Sequence, residues 1–272
     1  MKPNVFNHNA NDKILWKPIY IILAFFLLGI SSQVAAEQVT FKGTGIISNG
    51  EPLTLVANLV KPSGDGPFPA VIMMHGCSGD TPYQDDWEKR FVQWGYVVLR
   101  VDSMTPRKKF TFCDLPMETI LPRAQDAYDA KAYLMELPFV NKQKIGLVGW
   151  SHGAIAGLYV VDDSTPIKNR KSPFQCAILF YPYCSDISKL NAPLLILSGE
   201  KDDWCPPSTC KPLASLNNSQ FEITLKIYEN ATHAFDYEGV DTAAQGHVLK
   251  YNPEATKDAV SQVQNFLTKY LK

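Results

Sequence analysis

The chain has 272 residues, a formal net charge of −1 and 46% apolar residues, which is enough for one sizeable hydrophobic core. This nearly neutral balance argues against nucleic acid as a partner. The basic cluster at residues 107–109 is short enough to be a solvated loop. We therefore expect one globular domain that does not bind a polyanion.

The first 36 residues have the pattern of an export signal. Lys13 and Lys17 precede an apolar run at residues 19–30, which suits a signal-peptide core and is short for a membrane span. Small residues favour cleavage after Ala36. We predict a mature domain at residues 37–272, exported to the periplasm or the medium and not bound to the membrane. The alternative is an uncleaved signal that anchors the protein to the membrane.

All six cysteines follow this segment, at positions 77, 113, 176, 184, 205 and 210. An even number of cysteines in an exported chain predicts disulfides, but the sequence does not choose the pairing. The spacing allows a local bridge between Cys205 and Cys210. Cys184 with Cys210 is equally open, because both would lie in loops after neighbouring strands. Zinc is disfavoured because no C-x-x-C pair occurs, and no metal is expected.

Short apolar runs alternate with helical patterns along the rest of the chain. Strands are predicted at residues 53–60, 68–74, 96–101, 144–150, 176–181, 194–198 and 223–228. Helices are predicted at residues 119–137, from 154 to 161, and at 253–271. This alternation predicts an α/β fold with a mostly parallel central sheet flanked by helices. The irregular segment at residues 102–116 is expected to overhang the carboxyl edge of the sheet, where ligands bind.

Residues 149–153, Gly-Trp-Ser-His-Gly, fit the G-x-S-x-G pattern between a predicted strand and a helix rich in alanine and glycine. A serine on such a sharp turn raises its hydroxyl into the cleft, and the glycines avoid collisions with the neighbouring strand and helix. We predict Ser151 as the nucleophile and the backbone N–H of His152 as an oxyanion donor. The alternative is a purely structural Gly-Ser turn.

A serine hydroxyl needs a base and a carboxylate that holds this base in place. His233 follows the last predicted strand, in the order serine, acid, histidine, whereas His247 lies further on in a polar stretch and is interpreted as a surface residue. Asp202 is the favoured acid. Asp203 is the alternative, with the expected role of capping a helix or bonding a loop, and Glu200 is a third candidate.

A second oxyanion donor is expected from the loop at residues 75–79, His-Gly-Cys-Ser-Gly, which follows a predicted strand. Glycine in this loop lets a backbone N–H turn toward the cleft, and we assign that N–H to Cys77. The thiol of Cys77 is expected to be packed or disulfide-bonded. His75 is interpreted as a structural hydrogen-bonding residue.

Three further residues are candidates for substrate binding. Arg107 lies in the overhanging segment and is a candidate for a substrate carboxylate, with an exposed arginine that makes no special contact as the alternative. Trp150 and Trp204 flank the catalytic candidates in sequence and are candidates for an aromatic pocket, although core packing explains them equally well. Residues 182–192 are too few for a lid insertion, which disfavours a lipase.

Taken together, these motifs resemble the dienelactone hydrolase family of α/β-hydrolases, from about residue 53 to residue 271. The resemblance is carried by residues 74–79, 149–153, 180–182, 199–204 and 233–236. It implies the α/β-hydrolase fold and a triad of Ser151, Asp202 and His233. Founding members have a cysteine nucleophile and a glutamate after the strand that here ends in His75-Gly76. The chain therefore looks like the exported, serine-bearing branch, and dienelactone is not implied as its substrate.

The predicted reaction is hydrolysis of a small carboxylic ester or lactone through an acyl-enzyme, with no cofactor. One alternative is a serine peptidase or amidase of the oligopeptidase type, but such enzymes usually carry a propeller domain for which this chain has no room. The other is a catalytically inactive hydrolase fold that serves as a binding protein. The complete set of serine, aspartate and histidine argues against inactivity.

Overall fold

A computed structural model describes residue 1 and residues 36–272, except positions 47–49, 115–117, 169, 171, 185–186, 188 and 217–219. The predicted signal segment thus lies, apart from its two end residues, outside the described part of the chain. The described residues from 36 onward belong to one compact unit.

Strands and helices alternate through most of this unit. The strands are β1 (Glu37–Ile46), β2 (Pro52–Val60), β3 (Phe68–Met74), β4 (Val97–Asp102), β5 (Val140–Trp150), β6 (Ala177–Phe180), β7 (Leu194–Gly199), β8 (Ile223–Tyr228), β9 (Asp241–Ala244) and β10 (His247–Lys250). The helices are α1 (Tyr83–Gln93), α2 (Ile120–Glu136), α3 (His152–Val161), α4 (Lys211–Ala214) and α5 (Pro253–Leu271).

Eight strands form the central sheet, in the order β1-β2-β4-β3-β5-β6-β7-β8. β1 and β2 are antiparallel to their neighbours, and every pair from β4 to β8 is parallel. The predicted mostly parallel sheet flanked by helices is confirmed. Because these strands run in the same direction, the carboxyl ends of β3, β5, β6, β7 and β8 lie at the same edge of the sheet.

The core consists of two apolar layers, one on each face of the sheet. Alternate residues of β3 point to opposite faces, so Ile72 packs in the layer under α2 and α3, while Val71 and Met73 pack in the layer under α1 and α5. The central strands are buried on both faces. This is why they appear in the sequence as continuous apolar runs, without alternation.

The predicted boundaries of β3, β8 and α5 coincide with the observed ones. Sequence analysis missed β1, α1 and the hairpin of β9 and β10. In α1 only Trp87 and Phe91 are large buried apolar residues, and the polar residues between them conceal the helical period. The hairpin strands are short and mostly exposed, so they carry no apolar run.

Two disulfides are present, Cys77–Cys113 and Cys184–Cys210. Of the two bridges considered for Cys210, the one to Cys184 forms and the one to Cys205 does not. The loops after β6 and β7 bring Cys184 and Cys210 to a Cα–Cα distance of 5.0 Å. The Cys205 N–H instead donates to the Asp202 carboxylate at 2.8 Å, and the Cys205 thiol is free and buried, as is that of Cys176.

Neither a metal site nor a membrane span is evident in this part of the chain. Among the described residues, no group of three or more His, Cys, Asp or Glu side chains is arranged to hold a metal ion. Within the same ranges, no helix combines the length and apolar content needed to cross a bilayer.

The disulfide pattern predicts how the thiols react. The native protein should not react with iodoacetamide, because its two free cysteines, Cys176 and Cys205, are buried. After denaturation without reductant two cysteines should be alkylated, and after reduction all six. Intact-mass spectrometry measures each state. Four or six alkylated cysteines in the unreduced, denatured protein would contradict the assignment.

Candidate active site

Ser151 lies on the turn between β5 and α3, with φ 49° and ψ −116°, a conformation that is rare for a residue with a side chain. Its N–H donates to the Phe180 carbonyl at 2.9 Å, and its carbonyl accepts from the Ile155 N–H at 2.8 Å. The helix begins so close to the sheet that a Cβ at Gly153 would lie 2.2 Å from the Met74 carbonyl oxygen. Backbone packing therefore requires glycine at this end of the motif, as predicted.

The structure brings the three predicted catalytic side chains into one hydrogen-bonded chain. The Ser151 Oγ lies 2.9 Å from Nε2 of His233, and Nδ1 of His233 lies 2.8 Å from Oδ2 of Asp202. These contacts fit a neutral imidazole whose Nδ1–H donates to the carboxylate and whose Nε2 accepts from the serine hydroxyl. His233 and Asp202 are 4% and 3% exposed, so the pair is shielded from solvent.

Geometry separates Asp202 from the neighbouring candidate acid. The second carboxylate oxygen of Asp202 accepts the N–H groups of Trp204 and Cys205 at 3.0 Å and 2.8 Å, which fixes the orientation of the carboxylate. Asp203 is half exposed, and its carboxylate lies 3.3 Å from Nδ1 of His247. Asp203 thus pairs with a second histidine and does not face His233.

The candidate acid and the candidate base lie on two loops that contact each other through their backbones. The Lys201 N–H donates to the Ala231 carbonyl at 2.8 Å, which joins the loop after β7 to the loop after β8. A Cβ at Gly199 would lie 2.3 Å from the same carbonyl oxygen, so a glycine at the end of β7 permits this approach.

The predicted oxyanion donors lie on two different elements beside Ser151. His152 is the first residue of α3, where backbone N–H groups point out of the helix start toward a negative charge. Cys77 lies in the loop after β3 and lines the same cavity as Ser151. The Gly76 carbonyl accepts from Nδ1 of His75 at 2.6 Å. Because a trans peptide holds C=O and N–H on opposite sides, this bond turns the Cys77 N–H away from the His75 ring.

Arg123 connects the two donor loops from beneath and was not found by sequence analysis. Its guanidinium donates to the His75 carbonyl and to Nδ1 of His152, each at 2.6 Å. Arg123 is fully buried, and burial lowers its pKa to about 9. It lies on the inward face of α2 with Ala127 and Ala130. A charged residue on that apolar face was the available signal.

A buried carboxylate, Asp236, supports the other side of the site. It accepts from the indole N–H groups of Trp87 and Trp150, both at 2.9 Å, and from the Tyr181 hydroxyl at 2.8 Å. Burial raises the pKa of Asp236. Trp150 is fully buried in this cluster, so its predicted role in substrate binding is corrected: it packs in the core, the alternative considered above.

The prediction that Arg107 binds a substrate carboxylate is also corrected. Both terminal nitrogens of Arg107 donate to the carboxylate of Asp126, at 2.9 Å and 2.8 Å, and one also donates to the Ser103 carbonyl at 2.7 Å. The alternative of an exposed arginine without a special contact is wrong as well. Arg107 fastens the overhanging loop to α2.

A cavity of about 360 Å³ opens beside Ser151 and His233, a volume near the lower limit for small-molecule sites. Trp204 lines it, in agreement with prediction, and its ring stacks on His247 at a centroid distance of 4.9 Å. His247 is therefore a half-buried contact of the site, although it was interpreted as a surface residue. The hairpin of β9 and β10 forms one wall, which the sequence did not predict.

The sheet, its crossovers and the serine turn define an α/β-hydrolase. A family model described as the dienelactone hydrolase family matches residues 55–271, and the chain therefore belongs to that family. The resemblance inferred from the motifs is confirmed. A Bradyrhizobium protein named "Probable 2-oxo-3-(5-oxofuran-2-ylidene)propanoate lactonase" is 25% identical over 219 residues, which cover 74% of this chain and 86% of that protein.

Solved structures share the fold at low sequence identity. A putative dienelactone hydrolase from Klebsiella pneumoniae has a TM-score of 0.63 and 19% identity, over 87% of this chain and 100% of its own. A dienelactone hydrolase-like promiscuous phosphotriesterase from metagenomic libraries has a TM-score of 0.70 and 15% identity, over 88% and 100%. Esterase 2 of Thermogutta terrifontis has a TM-score of 0.63 and 15% identity, over 86% and 94%.

The His75 contacts predict a dependence of stability on pH. Burial, with a smaller contribution from the Arg123 charge, lowers the pKa of His75 well below 6.5. The His75 imidazole therefore binds a proton more readily in the unfolded chain than in the folded protein. Its full contribution to the free energy of unfolding is present above pH 6.5 and is lost as the pH falls below 6.5. The free energy of unfolding should fall by up to about 1.4 kcal/mol per pH unit.

Urea denaturation between about pH 7.5 and about pH 5 measures this effect. The His75→Asn variant should be less stable at pH 7.5, because it loses the Ser103 N–H contact to Nε2. Its stability should also fall less steeply with acid. Equal pH slopes for the variant and the wild type would exclude this role for His75.

Proposed function

We propose that the protein is a serine hydrolase that cleaves a carboxylic ester or lactone through an acyl-enzyme on Ser151. The observation that carries this proposal is the hydrogen-bonded chain from the Ser151 hydroxyl through His233 to Asp202, placed at a cavity of small-molecule size. Membership of the dienelactone hydrolase family supports it, as does the lactonase named among the similar proteins.

The geometry supports general-base activation of the serine. As the Ser151 oxygen attacks the substrate carbonyl carbon, its proton passes to Nε2 of His233. The carbonyl oxygen becomes an oxyanion next to the backbone N–H groups of His152 and Cys77. Each such donor typically contributes roughly 3 kcal/mol to stabilisation of the transition state.

Collapse of the tetrahedral intermediate breaks the bond to the leaving oxygen, which takes the proton from His233. Water then attacks the acyl-serine carbonyl carbon and gives a proton to the same nitrogen. When the bond from the acyl carbon to the Ser151 oxygen breaks, His233 returns this proton to the serine oxygen and the acid is released. Asp202 holds His233 in the required tautomer and stabilises the imidazolium that forms in each half-reaction.

We further propose that the mature domain, residues 37–272, works outside the cytoplasm after cleavage behind Ala36. Two disulfides support this proposal, since such bonds persist mainly in oxidising compartments. One of them, Cys77–Cys113, lies in the wall of the proposed active site.

Removal of the nucleophile tests the proposal directly. Ser151→Ala should lower kcat for 4-nitrophenyl acetate by about 10⁴-fold or more and abolish labelling by a fluorophosphonate probe. Circular dichroism and the unfolding midpoint check that the variant is folded. Labelled wild type that cleaves peptides and not esters would favour the peptidase alternative. Unlabelled, inactive wild type would favour the binding-protein alternative.

Paired substitutions of adjacent aspartates test the assignment of the acid. Asp202→Asn should lower kcat by about 10³- to 10⁴-fold, because the amide favours the wrong tautomer of His233. Asp203→Asn is the matched control, since its carboxylate contacts His247 and not His233. It should change kcat by less than about 10-fold. A larger loss in Asp203→Asn than in Asp202→Asn would reverse the assignment.

A further inference from the structure

The wall of the active-site cavity is built from uncharged side chains. Its aromatic part consists of Tyr83, Tyr181, Tyr237 and Trp204, and the hairpin adds aliphatic residues such as Leu249. Burial raises the pKa of both Tyr83 and Tyr181, so these phenols stay neutral at physiological pH. Among the described residues that line the cavity there is no Asp, Glu, Lys or Arg, and His233 is the one ionisable group besides the tyrosines.

The two arginines nearest in the fold are committed to other groups. Arg107 is held by both carboxylate oxygens of Asp126. Arg123 is fully buried beneath the oxyanion loop, where it is bound to the His75 carbonyl and the His152 ring. Neither guanidinium is part of the cavity wall, so neither can form the bidentate contact that a substrate carboxylate prefers.

Two carboxylates lie next to residues that line the cavity or stack on its wall. The Asp114 carboxylate accepts from the side-chain amide of Gln245, which lines the wall, at 3.1 Å. On another side, Asp203 pairs with His247 beneath the Trp204 stack. Both carboxylates thus lie next to the β9–β10 hairpin, where their negative potential disfavours an anionic substrate.

We propose that this cavity selects neutral esters or lactones with an apolar or aromatic body, and rejects substrates that carry a carboxylate near the scissile bond. A carboxylate in this cavity would lose its hydration without gaining a cationic partner, which is strongly unfavourable. Aromatic side chains, in contrast, offer a large apolar contact area to a neutral acyl or lactone ring. This inference rests on the proposed hydrolase function.

The test uses three 4-nitrophenyl esters of equal acyl length that differ in terminal charge. The neutral ester is that of monomethyl glutarate, the anionic ester is that of hydrogen glutarate, and the cationic ester ends in trimethylammonium. Each kcat/KM is divided by the hydroxide-catalysed rate of the same ester, which removes intrinsic reactivity. We expect this normalised kcat/KM to be about 50-fold or more higher for the neutral ester than for the anionic ester. It should also be higher for the neutral ester than for the cationic ester.

A variant that adds a charge checks that the cavity wall causes this preference. Thr242 lies in β9, lines the cavity and is exposed, so a longer side chain fits without repacking the core. Thr242→Lys should raise the ratio of anionic to neutral kcat/KM by about 10-fold. Thr242→Gln is the uncharged control and should leave this ratio unchanged. An equal shift in both variants would show that the wall does not set the preference by charge.

The charge rule and the proposed chemistry fail in different ways. Anionic and neutral esters cleaved within about 3-fold of each other, or a preferred charged ester, would overturn the charge rule while Ser151-dependent hydrolysis stands. Absence of hydrolysis and of Ser151 labelling would overturn the chemistry. In that case the charge rule is tested by binding alone. Saturation-transfer NMR measures how well dimethyl glutarate and monomethyl glutarate bind to Ser151→Ala. Equal binding of the two would refute it.

Discussion

The site depends on one steric constraint, the close backbone approach of the start of α3 to the end of β3. With the position of a Gly153 Cβ only 2.2 Å from the Met74 carbonyl oxygen, no side chain fits between helix and sheet. Directly before this contact, Ser151 adopts a positive φ of 49° and donates its N–H to the Phe180 carbonyl. Backbone packing thus positions the turn that carries the predicted nucleophile, Ser151, and one predicted oxyanion donor, His152.

Buried charges then hold the surrounding loops in register. Arg123 donates to the His152 ring and to the His75 carbonyl, which belong to the two loops beside Ser151. Asp236 accepts hydrogen bonds from two indole N–H groups and one phenol hydroxyl next to the loop of His233. Such groups are costly to bury unless they are hydrogen-bonded, so each enforces one arrangement of its partners. These directional contacts specify the loops around the predicted catalytic residues more sharply than apolar packing alone would.

Local signals were sufficient wherever a motif carries its own geometry. The G-x-S-x-G turn, the apolar strands and the amphipathic α5 are each encoded within a few turns of chain, and all lie where they were predicted. Prediction failed for distant partners that no motif marks, whereas motifs did indicate the distant partners Ser151, Asp202 and His233. Arg107 appeared available because Asp126 lies 19 residues away on another element, and Trp150 appeared to be a pocket residue because its partner Asp236 lies 86 residues away.

The sequence by itself determined the fold class, because strand periodicity is a local property of the chain, and its motifs carried the resemblance to the family that the comparison confirms. Tertiary structure decided which side chains enter the cavity. Three features depend on distances between separate elements: the hairpin wall, the choice between Cys184 and Cys205 as the partner of Cys210, and the hydrogen bonds that engage Arg107 and Arg123. Those distances follow from how the crossover connections pack on the sheet. A local sequence pattern carries no information on this packing, because the packed elements are far apart in the chain.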